Sequence, residues 1–174
     1  EKKLKNKDTV IFGNLPYNIS TKILLKLIKF KIWPPQYKKL VLMFQKEVAE
    51  NIMANFNTSG YGRFTIITKR RLKILNKFNI SKHCFYPKPK VDSTVLVFQP
   101  VVNNTNKIEN ISNLEKITQV MFSNKRKMIN KSFMKLFKDY IKASIDLKIN
   151  LNCRPSELDE NVYYKITEYF EKKS

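Results

Sequence analysis

Asn14-Leu15-Pro16-Tyr17 is the stretch of this sequence best equipped for chemistry. Asn14 offers a side-chain carbonyl oxygen, an acceptor without charge. Pro16 lacks an amide hydrogen and has a fixed φ, so the turn around it can leave a backbone carbonyl pointing outward. Two acceptors side by side suit one donor with two hydrogens, an exocyclic amino group. Tyr17 adds a ring on which a planar base can stack, a contact worth about 1–3 kcal/mol. The amino group of adenine is a poor nucleophile because its lone pair is delocalised into the ring. Holding both hydrogens out of the ring plane pushes the nitrogen toward a pyramidal geometry and aims that lone pair at an electrophile. No general base is needed before the bond forms, since the alkylated ammonium can lose its proton to water afterwards. The chemistry to expect is methyl transfer from a sulfonium donor, catalysed mainly by positioning and electrostatics. Four residues alone can equally be an ordinary proline turn at a strand end, so the surrounding elements carry much of the weight.

Those elements are legible on either side. Val10, Ile11 and Phe12 form a short apolar run before Gly13, the pattern of a parallel strand buried on both faces. Ser20 or Thr21 can cap the helix that follows, whose apolar set is Ile23, Leu24, Leu27 and Ile28, and Trp33-Pro34-Pro35 stops it. Leu40–Phe44 is a second buried strand, so residues 10–44 read as a βαβ unit with a right-handed crossover. This puts the Asn-Leu-Pro-Tyr turn at the carboxyl end of a parallel strand, where open α/β sheets place their ligands. Lys46–Phe56 is helical, with Val48, Ile52 and Phe56 on one stripe beside Ala49 and Met53, and 57–62 is a loop. The spacing predicts a helix over Arg63–Arg70, a strand from Leu72 and another over Ser93–Gln99, with Pro87 and Pro89 breaking the chain between them.

Residues 103–113 are polar and read as a linker, and beyond it only helical periodicity is found. Leu114, Ile117, Met121 and Phe122 share one face, Ile129, Phe133, Leu136 and Phe137 a second, and Val162, Ile166, Tyr169 and Phe170 a third. Asp159 suits the last N-cap, with Leu158 and Tyr163 placed as a hydrophobic staple. The chain divides into an α/β part, residues 1–102, and a small all-α part, residues 103–174. One feature of the first part is incomplete. A strand buried on both faces needs a neighbour on each side, yet little sequence precedes Val10, and Gly13, Gly60 and Gly62 do not form a nucleotide-type phosphate loop. We expect an N-terminal segment of the domain to be missing from this chain.

The chain's 34 Lys and Arg against 14 Asp and Glu give a formal charge of +20, which points to a polyanionic partner, nucleic acid before anionic membrane. Lysine and asparagine abundance can also reflect AT-rich codons, so charge alone does not assign the partner. With only Cys84, Cys153 and His83 available, no metal site and no disulfide framework is expected, and both thiols are taken as reduced and packed. No segment approaches the roughly 20 apolar residues that span a bilayer, and EKKLKNKD has no apolar signal core, so a cytoplasmic location is expected.

The sequence resembles the ribosomal RNA adenine dimethyltransferases of the KsgA and Erm type. The likeness runs through IFGNLPYNIST, LMFQKEVAENI, SGYGRF and FYPKPKVDSTV, then FSNKRKMINKSF and NCRPSEL, in the family's order. KVDS and RPSEL are closer to the KsgA branch. The resemblance implies an incomplete Rossmann-like, S-adenosylmethionine-dependent methyltransferase domain followed by a small helical RNA-binding domain. It implies that Asn14 and Pro16 accept from the target amino group, that Tyr17 and Phe85 stack on a flipped adenine, and that Asn14 and Leu15 border the methyl donor. Two stacking contacts can offset the few kcal/mol that extruding a base costs. Lys125, Arg126, Lys127 and Lys131 become candidates for phosphate contact, beside a second basic cluster, Lys69, Arg70 and Arg71. The implied reaction is dimethylation of two adjacent adenosines near the 3′ end of small-subunit ribosomal RNA, by a monomer acting on the immature small subunit in a bacterium or an organelle of bacterial origin. The alternatives are an Erm-like enzyme of the large subunit, or a non-catalytic RNA-binding, ribosome-assembly or mitochondrial transcription factor that keeps the fold. The family's GxGxG turn and its two acidic donor-binding residues are absent from this sequence, so this chain is expected to be the C-terminal portion of such an enzyme and to bind the donor weakly by itself.

Overall fold

The computed structural model describes residues 9–102 and 107–173. The stretch EKKLKNKD and residues 103–106 of the polar segment lie outside them. The described residues cluster into two compact units. One holds those up to Met53 and from Arg71 to 102, the other those from Ala54 to Arg70 and from 107 onward.

The first unit is built on a mixed sheet of β1 (Thr9–Asn14), β2 (Tyr37–Gln45), β3 (Leu72–Ile80) and β4 (Ser93–Pro100), in the order β1-β2-β4-β3. β1 runs parallel to β2, and α1 (Ser20–Ile28) makes the crossover between them. β4 is antiparallel to both β2 and β3. β2 is paired on both sides, with Leu40, Leu42 and Phe44 in the core and Phe44 meeting Phe98 of β4 edge to face at 6.3 Å. From α1, Leu24 and Ile28 are fully buried. The segment after α1 is fastened to the end of β4, where Trp33 Nε1 donates to the Val101 carbonyl at 2.7 Å and the Arg71 guanidinium lies 4.4 Å over the indole.

Three expectations for this unit are corrected. β1 is not buried on both faces, since its residues alternate and Phe12 is 75 % exposed. Among the described strands it pairs with β2 alone, which leaves unpaired the flank expected to need a further N-terminal segment. The start of α1 is not capped by Ser20 or Thr21. The cap position is Ile19, and the Ser20 hydroxyl instead donates back to the Tyr17 carbonyl at 3.2 Å. α2 (Lys46–Met53) ends before Phe56, which is exposed, and the chain then passes through Asn57 at φ 64°, a left-handed conformation that asparagine tolerates. Of the two thiols, Cys153 is partly covered but Cys84 is exposed.

The second unit holds α3 (Arg63–Arg71) up to Arg70, with α4 (Ile111–Met121), α5 (Asn130–Leu136), α6 (Tyr140–Leu147) and α7 (Glu160–Lys173). The sequence division at 102/103 put residues 54–70 with the α/β part. Their packing groups them with the helices for a visible reason: Tyr164 of α7 donates its hydroxyl to the Ile66 carbonyl at 3.2 Å, Arg70 lies 5.5 Å over the Tyr164 ring, and Lys69 pairs with Glu160 at 3.3 Å. The basic run 69–71 is therefore consumed by packing. Asp159 caps α7 through the Val162 amide at 3.0 Å, as expected. The described end of the polar segment is tied down rather than free. Glu171 of α7 accepts from the amides of Glu109 and Asn110, and α4 begins at Ile111.

Gly13 links this frame to the turn beyond β1. A Cβ there would stand 2.9 Å from Leu42 Cδ2 and 3.0 Å from Leu15 Cδ2, and Leu42 is 1 % exposed with no room to retreat. We predict that Gly13→Ala destabilises the fold by about 1–3 kcal/mol in urea titration. An unchanged midpoint would show that Leu15 swings away freely.

Candidate active site

β1 delivers Asn14 opposite Met43 of β2, so the carboxyl ends of two parallel strands meet at the turn. From there the chain is held at successive atoms. The Pro16 carbonyl accepts from the Ile19 amide at 3.1 Å, the Tyr17 carbonyl takes the Ser20 hydroxyl, and the Tyr17 hydroxyl lies 2.6 Å from Ser93 Oγ. Ser93 is fully buried at the first position of β4, registered against both Gln45 and Ile80. The Tyr17 ring thus hangs from the middle of the sheet.

A second loop approaches from the end of β3. Ser81 opens a single 3₁₀ turn, Lys82–Cys84, by accepting from the His83 amide, and Phe85 leaves it extended. Asp92 closes the loop, its carboxylate taking the Lys82 amide at 2.9 Å and its carbonyl the Lys46 amide at 3.0 Å. Between these clamps Pro87 and Pro89 stiffen the backbone. A cavity of about 380 Å³ lies between loop and turn, lined by Asn14, Leu15, Pro16, Tyr17, Met43, Phe85, Tyr86 and two prolines. No carboxylate, imidazole or amine is among these lining residues. Such a cavity suits a neutral, planar, aromatic ligand and offers acceptors rather than charges.

The structure brings together five of the residues singled out from the sequence, Asn14, Leu15, Pro16, Tyr17 and Phe85, in this one cavity. The Pro16 carbonyl helps to close the turn, and among the described residues no turn amide donates to the Leu15 carbonyl one position earlier. Tyr86, Met43 and Ser93 were missed. Tyr86 is fully exposed at the lip, and its signal was the aromatic pair Phe85-Tyr86 before two prolines. Ser93 gave no signal beyond a hydroxyl at a strand start. Lys125, Arg126, Lys127 and Lys131 belong to the other unit. Lys125, Arg126 and Lys127 follow a 3₁₀ turn and precede α5, whose second residue is Lys131. Lys125 donates to the Ser59 carbonyl, while the other three are exposed. Among the described residues no group of His, Cys, Asp and Glu is placed to hold a metal ion.

A family model described as ribosomal RNA adenine dimethylase matches residues 1–172. The chain is 41 % identical over 174 residues to ribosomal RNA small subunit methyltransferase A of Pelagibacter ubique, covering 98 % of this chain and 65 % of the relative. It is 36 % identical over 171 residues to the Malacoplasma penetrans protein of the same name, covering 92 % and 58 %. A dimethyladenosine transferase from Plasmodium falciparum superposes with a TM-score of 0.75 at 30 % identity, over 94 % of this chain and 67 % of that one. The 23S rRNA methyltransferase ErmE shares the fold, with a TM-score of 0.62 at 18 % identity over 94 % and 66 %. Sheet, turn and superpositions together define the class as a Rossmann-like methyltransferase fold with an appended helical part. Within that class, the chain belongs to the ribosomal RNA adenine dimethylase family. It spans less than two thirds of the length of the curated relatives named above.

The bond between Tyr17 and Ser93 is the testable element of this geometry. Tyr17→Phe keeps the ring and leaves a buried serine hydroxyl without its partner. We predict a loss of about 1–3 kcal/mol in denaturant titration, and Ser93→Ala in the Tyr17→Phe background should recover part of it. Strict additivity of the two changes would mean that the bond does not form.

Proposed function

We propose that this chain is the acceptor-binding portion of an enzyme that transfers methyl groups from S-adenosylmethionine to the amino groups of two adjacent adenosines near the 3′ end of small-subunit ribosomal RNA. The observation that carries the proposal is the convergence of Asn14, Leu15, Tyr17 and Phe85 on one cavity without charged lining residues. Printed names support the substrate: the curated relatives are small-subunit methyltransferases and the Plasmodium protein is a dimethyladenosine transferase. The higher identity to these than to ErmE favours the small subunit over the large-subunit reading. We take the whole protein to act as a monomer in the cytoplasm on the immature subunit. Among the described residues no helix is long and apolar enough to cross a membrane.

In this reading a flipped adenine enters between Tyr17 and Phe85. Asn14 Oδ1 and the Leu15 carbonyl accept its two amino hydrogens and turn the nitrogen lone pair away from the ring. Because both acceptors are fixed before the base arrives, little reorganisation remains at the moment of reaction. The proton released afterwards passes to water, in keeping with a cavity wall that offers no base. When bound, S-adenosylmethionine supplies the electrophilic methyl group. Residues described here fit only the border of its site, Asn14 and Leu15, because β1 is not followed by a Gly-rich turn that would cradle it.

Tritiated methyl transfer to immature small subunits by the full-length protein tests the assignment. Asn14→Ala and Tyr17→Ala are each expected to lower the rate by about 100-fold or more, and full activity in both would refute the roles given to the turn. Pro16→Ala is the informative companion: it should cost less than Asn14→Ala if the Leu15 carbonyl is the second acceptor. In a separate titration, S-adenosylmethionine should bind the full-length protein more tightly than the present chain, and equal affinity would overturn the division of the site.

A further inference from the structure

The helical unit contains a second concave feature, away from every residue used above. Two adjoining cavities of about 470 and 400 Å³ share Tyr169 of α7 as a wall. Aromatic rings floor the first. Phe137 meets Tyr169 and Phe170 edge to face, with centroids 5.6 and 6.1 Å apart, and the Tyr169 and Phe170 rings stay partly open to solvent. Lysines rim both: Lys138, Lys142 and Lys173 on one side of Tyr169, Lys148, Lys165 and Lys172 on the other. The Lys173 ammonium already sits 6.0 Å from the Tyr169 ring centre.

Each of the three lining carboxylates already accepts a hydrogen bond. Asp139 accepts the Lys142 amide as the cap of α6, Asp146 accepts the Tyr169 hydroxyl at 2.7 Å, and Glu168 accepts the Lys107 amide. Among the described residues none of the six lysine ammoniums makes an ion pair. The feature therefore combines a ring platform fixed by its own hydrogen bond with unpaired cations on both sides.

This is the combination that single-stranded nucleic acid requires: a flat apolar surface for a base, with positive charge spaced along the backbone path. An acidic peptide would use the lysines and leave the ring platform idle. We propose that these cavities bind an unpaired stretch of RNA, with one base stacked on Tyr169, the wall they share, and the flanking phosphates on the lysines to either side. The proposal concerns binding alone, and it stands or falls separately from the methyl-transfer reading of the other unit.

Fluorescence anisotropy with a short labelled oligouridylate tests it on the present chain. Tyr169→Phe should bind as the parent does, and Tyr169→Ala should bind about 5- to 100-fold more weakly. Because Tyr169 also packs on Phe137, the exposed pair Lys142→Ala and Lys148→Ala is measured alongside. It should flatten the slope of log affinity against log salt by about 0.7 for each phosphate that is no longer neutralised. A 4-thiouridine oligonucleotide should crosslink to the peptide that contains Tyr169. Parental binding in both Tyr169→Ala and the lysine pair, crosslinks confined to other peptides, or equal competition by polyglutamate would each overturn the proposal.

Discussion

The candidate active site depends on the hydrogen bond between Tyr17 and Ser93, which joins a strand end to the start of a strand 76 residues later. A tyrosine ring on an exposed turn would ordinarily sample several rotamers, and freezing it on ligand binding would cost affinity. Here the cost is met on folding. Ser93 is immobile because it sits between β2 and β3 in the sheet, and Asp92 beside it clamps both the loop that carries Phe85 and the start of α2. The two aromatic walls of the cavity are therefore positioned by neighbouring residues of one segment. Their separation is set by the sheet rather than by loop flexibility.

The same dependence explains what the sequence revealed and what it concealed. Local signals were sufficient for the elements: the βαβ unit, the helix over 63–70 despite its β-branched run, the strand from Leu72 and the cap at Asp159 are where spacing put them. Asn14, Pro16 and Tyr17 were singled out by residue type and Leu15 and Phe85 by the family resemblance, and the fold places all five on one cavity. What escaped was set by long-range contacts. An apolar triplet does not say which of its residues face solvent, and Phe12, read as buried, is exposed. Nor does the polarity of 54–62 reveal that Tyr61, in this segment, is fully buried and meets Phe122 ring to ring at 6.3 Å. The bond from the Ile19 amide to the Pro16 carbonyl is likewise something no propensity encodes.

Charge is a further case in which sequence and structure diverge. Two basic runs look alike on paper, yet Arg70 is 6 % exposed over Tyr164 and Arg71 covers Trp33, while Arg126 and Lys127 are free on the surface. Burial even lowers the pKa of Arg70, because desolvation outweighs the nearby acidic groups and tyrosine that hold its charge. A lysine or arginine counts toward nucleic-acid binding only when packing leaves it outside.

This separation of charge from chemistry has a physical logic. A field from +20 acts over a Debye length, about 8–10 Å at physiological salt, and speeds encounter with any polyanion without choosing among its bases. Selection then has to come from contacts that a phosphate cannot make. The cavity at the end of β1 is lined by an amide, a thioether, aromatic rings and prolines, with no cation to draw in a phosphate, and in the proposed reading a cation there would compete with an amino group for the same acceptors. On that reading, keeping lysine out of the cavity and abundant elsewhere lets long-range attraction gather the substrate while short-range acceptors discriminate within it. The neutrality of the cavity is then as much a part of the proposed specificity as its acceptors.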